Sequence, residues 1–292
     1  MKLGIGLPNT MALDADRRLM LDWARLSDEA GFHTLATIDK PAYDSWDPLV
    51  TLAGVAGVTE KARLATTILQ LPNRNETLVA KQAAVVDRLS GGRLDLGVAQ
   101  GHGGADYEVF DALPKGRSER LERQVARMRE VWAEARTSDR DHGVTGPAPL
   151  QDPCPVWVGA ARPKAIERAV RIGDGFLYGT RGAAAMAEGV PWVRELAAAE
   201  GKPDLPVAGL AYAAIGDDPA AALEEGTQHA LRYYGQLYRE PHDLIHHGPA
   251  EKLAEEFAEY AGSGLDLLIV FPLVPRLDQV QRLAESVLPA YQ

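Results

Sequence analysis

The chain has 292 residues, 46% of them apolar, which allows one large domain or two small ones around a substantial core. Its net charge of −10, from 41 acids against 31 bases and without a long basic run, argues against nucleic-acid and anionic-membrane partners. The single cysteine, Cys154, rules out an intrachain disulfide framework and a multi-cysteine zinc site, and it fits a reducing cytoplasm. The first residues, MKLGIGLPNTMALDADRR, carry too short an apolar run for a signal peptide. No uninterrupted apolar stretch reaches the roughly 18 residues of a membrane span.

Leu3 to Leu7 reads as a short apolar strand closed by Pro8 and Asn9. A helix follows from Asp14 to Ala30, capped by Asp14 or Asp16 and stopped by Gly31. Thr34 to Ile38 is the second strand, and it ends at Asp39-Lys40-Pro41. Trp46 to Val58 reads as a helix started by Asp47-Pro48, and Arg63 to Leu69 as the third strand. Thr77 to Leu89 is a helix broken by Ser90-Gly91-Gly92. Arg93 to Ala99 is the fourth strand, and it empties into Gln100-Gly101-His102-Gly103-Gly104. A helical or irregular stretch covers 107–112, and a long amphipathic helix runs from Lys115 to Ala135. Thr137 to Pro153 is a polar loop rich in proline and glycine. Strands are then expected at 155–160, 175–179, 206–215 and 265–271. Helices are expected at 163–173, 183–201, 219–234, 249–262 and 277–288, with 235–248 irregular.

This is eight short apolar strands, each followed by a helix. Such strands belong to parallel sheets covered on both faces. Eight units in a chain of this length fit an α/β fold, a single (β/α)8 TIM barrel over residues 1–292 with short insertions at the C-terminal face. The rival is a doubly wound sheet of two lobes, but no linker or shift of composition divides the chain. In a barrel, the C-terminal ends of the strands build the active site. The glycine-rich loop 100–104 leaves one such end, where bare backbone lets a flat or anionic ligand approach closely.

The turn Leu89-Ser90-Gly91-Gly92-Arg93 and the strand start Leu96-Gly97-Val98 resemble the bacterial luciferase-like monooxygenase superfamily. So do residues 63–67 (RLATT), 155–160 (PVWVGA), 173–176 (GDGF), 248–251 (GPAE), 264–266 (GLD) and 288–289 (LP), in that order along nearly the whole chain. The resemblance implies a TIM barrel that binds a reduced flavin-type ring at the strand C-termini. Members are FMN-dependent monooxygenases or oxidoreductases that use the deazaflavin coenzyme F420. It places Thr67 and Ile68, where relatives have a bulge that is often a cis non-proline bond, against the ring. Gly159, Ala160, Ala161 and Arg162 match a turn whose N–H groups meet the cofactor tail, at the start of a helix that attracts phosphate. Gly179, Thr180 and Arg181 match a second phosphate-side loop, where Arg181 can bind bidentately. Gln100 and Gly101 form a wall of the pocket, and Asp39 bonds the ring or orients Lys40.

Two positions depart from the pattern. Several deazaflavin-dependent members have Asp-His after the second strand, where this chain has Asp39-Lys40; several have Gly-Glu after the fourth, where it has Gly101-His102. His102 and Lys40 are therefore the candidate catalytic residues. A histidine side chain titrates near neutrality and suits a general acid, against the alternative of a solvated loop histidine. Lys40 pairs with a negative reduced ring or protonates substrate, or else forms a salt bridge to Asp39. His242, His246 and His247 invite a zinc reading, but they lack the glutamate of an HExxH motif, and a loop or substrate lid is the better reading. Tyr233, Tyr234 and Tyr238 line the pocket mouth or pack. Neither a dinucleotide fingerprint nor a P-loop is present.

The expected activity is hydride transfer from reduced F420 to an unsaturated or carbonyl small molecule. The alternatives are an FMNH2-dependent monooxygenase using O2, and a non-catalytic barrel that binds a flavin. The resemblance also implies a homodimer.

Overall fold

The computed structural model describes residues 1–10, 15–138, 143–235, 237 and 239–292. The strands are β1 (Lys2–Gly6), β2 (Thr34–Thr37), β3 (Arg63–Thr66), β4 (Leu69–Gln70), β5 (Leu94–Ala99), β6 (Val156–Gly159), β7 (Gly175–Thr180), β8 (Val207–Ile215), β9 (Ile245–Gly248) and β10 (Leu267–Pro272). All their pairings are parallel. β10 pairs with both β1 and β8, which closes β1, β2, β3, β5, β6, β7, β8 and β10 into a ring. The doubly wound alternative, which has open edges, is thereby excluded. β4 resumes the course of β3 beyond the cis Thr67–Ile68 bond and pairs with β5.

The strands bury both faces, as continuous apolar runs do in a helix-covered parallel sheet. One layer of core lies between the ring and its helices and includes Trp23, Leu52, Met128, Val193 and Phe257. A second fills the ring with Ala36, Ala65, Leu177, Leu210, Ile269 and Phe271. Small residues make room for large ones there: a Cβ on Gly6 would collide with the Phe271 ring. Four of the helices begin where a side chain satisfies free N–H groups. Asp16 accepts from Leu19 N–H, Asp47 from Leu49 and Val50, Asn75 from Leu78, and Asp218 from Ala220 and Ala221. Asp14, the other candidate cap of the first helix, lies outside the described residues.

Under the ring, Arg93 donates to the carbonyls of Ser90, Ala62 and Thr59 and ties three turns together. Cys154 is 1% exposed, and burial pushes its thiol pKa up. The structure differs from the expected elements in two places. The third strand is interrupted after Thr66 and resumes at Leu69. Residues 235–248, expected to be irregular, contain the short helix Pro241–Leu244 and strand β9. The nine-residue β8 extends far enough for Tyr212 to Ile215 to pair with Ile245 to Gly248, and the sequence IHHG has no alternation to announce it. No described helix is long and apolar enough to cross a membrane.

Candidate active site at the strand C-termini

A cavity of about 350 Å³ opens at the C-terminal ends of the barrel strands, within the range of small-molecule sites. Asp39 and Lys40 reach it from the end of β2, Thr67 and Ile68 from the break after β3, and Gln70 from β4. Gly101 and His102 come from the loop after β5, Gly179 and Thr180 from the end of β7, and Leu210 and Tyr212 from β8. Tyr233 and Tyr234, at the end of the helix Pro219–Tyr234, form a further wall with Leu237, Arg239 and Leu244. A wider hollow of about 660 Å³, between the C-terminal ends of the helices Glu76–Leu89 and Arg117–Thr137 and residues 144–148, contains none of these residues. Its Arg88 and Arg136 donate to the carbonyls of Ala148 and Gln151.

The acidic floor of the cavity is neutralised within the protein. Arg74 grips Asp39 through two hydrogen bonds of 2.7 and 3.0 Å, and the Gln70 N–H adds a third at 2.8 Å. Burial pushes the Asp39 carboxyl above the usual range, and the Arg74 guanidinium pulls against that shift. Asp106 is also buried and accepts from Gln70 Nε2 at 2.9 Å and Ala42 N–H at 3.2 Å. Both partners of Gln70 Nε2 are acceptors, the Asp39 carbonyl and the Asp106 carboxylate, which fixes the orientation of the amide. Gly101 packs directly on this amide: its φ is +67°, and a Cβ there would collide with Gln70 Oε1.

Lys40 does not pair with Asp39. Its Nζ stands 3.8 Å from Asp106 Oδ2 and 4.3 Å from the centroid of the Tyr43 ring, with Tyr234 at 5.5 Å and Tyr233 at 5.9 Å. The negative faces of these rings attract an ammonium electrostatically. Burial drives the hydroxyls of Tyr212 and Tyr233 up, so both stay protonated. The Tyr212 and Tyr234 hydroxyls bond each other.

Of the residues picked from the sequence, Asp39, Lys40, Thr67, Ile68, Gly101, His102, Gly179 and Thr180 meet on this cavity. Gln100, Gly159, Ala160, Ala161, Arg162 and Arg181 are not on its wall. Gln100 is turned away: its Oε1 accepts from Ser118 and its carbonyl from Tyr107. The Ala160 N–H is already bonded to the Leu177 carbonyl. Arg181 lies over the Tyr178 ring and donates to the Ala161 carbonyl at 2.9 Å, which joins the two loops beside the cavity. Tyr238 lies outside the described residues. The sequence reading missed Gln70, Arg74, Asp106 and Arg239. Arg74 and Asp106 lie 35 and 67 positions from Asp39 in sequence, and no local pattern links them.

Those two loops offer unused donors. The helices Pro163–Ile172 and Ala183–Ala199 begin at Arg162 and Gly182 without a side-chain cap, as Arg117–Thr137, Ala250–Ala261 and Leu277–Ser286 also do, but these two start beside the cavity loops. Among the described residues, the N–H groups of Ala161, Arg162, Arg181 and Gly182 have no protein acceptor. Uncapped N-termini with nearby guanidinium groups are anion-binding features. The apolar wall of Ile68, Leu210, Leu237 and Leu244 suits a flat ring, and Gly179 presents bare backbone, with open space where a side chain would stand. A flavin-type cofactor, with an apolar ring and an anionic tail, fits these features. Among the described residues, no three His, Cys, Asp or Glu side chains are grouped to hold a metal ion.

A sequence profile of the luciferase-like monooxygenase family matches residues 1–266. The oxygenase component of the flavin-dependent trigonelline monooxygenase of Acinetobacter baylyi is 29% identical over 171 residues, 53% of this chain and 46% of that protein. A Mycobacterium tuberculosis protein with a provisional assignment as a coenzyme F420-dependent oxidoreductase is 32% identical over 224 residues, 68% of this chain and 62% of its own. The chain thus spans about half to three-fifths of the length of these two relatives. The crystal structure of the monooxygenase RslO1 from Streptomyces bottropensis aligns with a TM-score of 0.83 at 22% identity, over 100% of both chains, a likeness of fold. With the closed barrel and the match over residues 1–266, the chain belongs to the luciferase-like monooxygenase family.

Proposed function

We propose that the cavity holds reduced F420 and that the protein is an oxidoreductase acting on an unsaturated or carbonyl small molecule. The observation that carries this reading is the pairing of an apolar-walled cavity with two uncapped helix N-termini beside it. In this reading Ile68 and Leu210 flank the ring, while the amides of Ala161, Arg162, Arg181 and Gly182 receive the tail. When bound, the deazaflavin supplies a hydride. The chain's part is to orient ring and substrate, exclude water and deliver a proton. His102, exposed on the cavity wall, is the proton donor, and Lys40 holds negative charge that develops near the tyrosines. The M. tuberculosis relative, aligned over 68% of the chain, supports the deazaflavin.

The A. baylyi relative favours a second reading, in which the same cavity holds FMNH2 and the reaction inserts oxygen. Titration of the protein with F420 and with FMN, followed by absorbance and intrinsic fluorescence, separates the two. The proposal expects F420 to bind at least about tenfold more tightly, a difference of about 1.4 kcal/mol. Tighter binding of FMN would overturn it.

The homodimer is likewise proposed. Val50, Leu78 and Leu89 are 55–67% exposed on the helices Pro48–Ala56 and Glu76–Leu89, which supports an apolar contact between copies. Sedimentation at micromolar concentration tests it, and a monomer would refute it.

A further inference from the structure

His246 lies on β9, 21% exposed at its side chain, and bonds on both sides. Its Nδ1 is 2.6 Å from Glu256 Oε2, and its Nε2 is 3.1 Å from the Tyr260 hydroxyl. Glu256 and Tyr260 are four residues apart on the helix Ala250–Ala261, so they face His246 together. The Tyr260 hydroxyl in turn donates to the Arg181 carbonyl at 2.9 Å. Arg181 belongs to the loop that lines the cavity with Gly179 and Thr180 and crosses to Ala161.

Donor counting fixes the proton inventory of this chain of bonds. The Arg181 carbonyl can only accept, so the one hydroxyl proton of Tyr260 is committed to it. The Tyr260 oxygen must then accept from a proton on Nε2. Burial pushes the Glu256 carboxyl up, but hydrogen bonds and charge from His246 and Lys252 outweigh burial and hold it below the usual glutamate range. Glu256 is therefore an acceptor, and Nδ1 must donate as well. The bonds are all satisfied only when both ring nitrogens carry protons. Once one proton is lost, the charge-assisted bond to Glu256 is the stronger to keep. Nε2 becomes a lone pair, and the Tyr260 hydroxyl can turn its proton to it and release the Arg181 carbonyl.

We propose that His246 is a positioning residue whose protonation, through the Tyr260 hydroxyl, fastens the 179–181 loop to the barrel and strengthens the hold of the cavity on an anionic-tailed cofactor. The cofactor clause rests on the function proposed above; the loop clause does not. The charged and titratable groups facing this network are few. Lys252 lies 3.2 Å from Glu256 and opposes a charged imidazole, Arg239 and Glu259 act on Tyr260 with opposite signs, and His247 bonds its own strand. The rings of Phe257 and Tyr260 meet the imidazole edge-on at 5.1 and 5.6 Å, and β8 contributes Ala213 opposite it.

The full chain, labelled with 15N at histidine, would be titrated by NMR from about pH 5 to about pH 9, the range in which imidazoles change charge. Hydrogen-exchange protection of the peptide spanning 175–182, whose β7 amides are bonded to β8, is followed over the same range and corrected for the intrinsic rate. The proposal expects both nitrogens protonated at the acid end, Nε2 deprotonating first, and protection falling with the same midpoint. In Tyr260→Phe the protection is low at every pH; in His246→Gln it does not vary with pH. F420 affinity of the wild type is expected to weaken about tenfold through that midpoint, the worth of one hydrogen bond. Constant protection of 175–182 while His246 titrates would overturn the latch. Failure of both F420 and FMN to bind would instead overturn the function proposed above and leave the exchange data to decide the latch.

Discussion

Asp39 and Arg74 are almost wholly withdrawn from water, with side chains 2% and 13% exposed. A buried pair of this kind costs desolvation on both sides, so its loss shows most when one partner is removed alone. Arg74→Met is expected to destabilise the fold by about 3–5 kcal/mol in urea unfolding, because it strands the Asp39 charge. The double variant Asp39→Asn/Arg74→Met is expected to recover a large part of that loss. His102→Ala should leave folding unchanged, since the imidazole is exposed, and lower turnover about 10²–10⁴-fold, the usual worth of a general acid. Equal turnover in the variant would remove His102 from the chemistry. Asp39, Lys40 and His102 were legible in the sequence because each follows a strand end. Arg74 and Asp106 were not, because only folding brings the turn after β4 and the short helix Ala105–Glu108 against the end of β2. The partner of Lys40 escapes the sequence for the same reason: adjacency suggests Asp39, but Arg74 already occupies that carboxylate.

Elements are joined beneath and above the ring by carboxylates that accept from backbone. Asp28, near the end of the helix Arg17–Ala30, accepts from the N–H groups of Glu60, Lys61 and Ala62 at 2.9, 3.0 and 2.7 Å. Burial pushes its carboxyl up, but these three bonds and Arg93 outweigh burial and leave it below the usual aspartate range. A carboxyl depressed in the fold stabilises it above the unfolded pKa, and the contribution is lost as pH falls through the folded value. Asp28→Asn is expected to cost about 1–2 kcal/mol near neutrality and to flatten the acid limb of the stability profile below about pH 4. An acid limb identical to wild type would show that Asp28 contributes nothing there. In the glycine loop, Gly101→Ala meets both a left-handed backbone and the Gln70 amide, and should destabilise by about 1–2 kcal/mol with weaker cofactor binding. The alternation of strand and helix was readable because capping aspartates and glycine stops mark the ends. β9 was not, because its pairing depends on the overhang of β8 rather than on its own composition.

For the molecule as a whole, closure through β10 leaves the eight ring strands without free edges. The cavity wall draws on the ends of several of those strands, so a cofactor bound there should resist unfolding of the barrel as one unit. F420 at about 100 times its Kd is expected to add about 2.7 kcal/mol to the unfolding free energy, seen as a concentration-dependent rise in Tm. A Tm insensitive to ligand would mean that F420 does not bind the folded chain. The barrel could be read from the count of strands and helices, and the family from ordered short motifs. Substrate choice could not, because the walls that would set it, around 233–244, come from a segment whose strand and aromatic contacts exist only after folding.

Cys154 has a practical consequence. It is enclosed at the base of β6 with its thiol held protonated, so it will not compete for maleimide reagents while the protein is folded. A second cysteine placed on an exposed turn would be a uniquely addressable handle without any background substitution. A dye attached there, on a turn away from residues 159–162 and 179–182, would report on the folded protein without touching the proposed cofactor site.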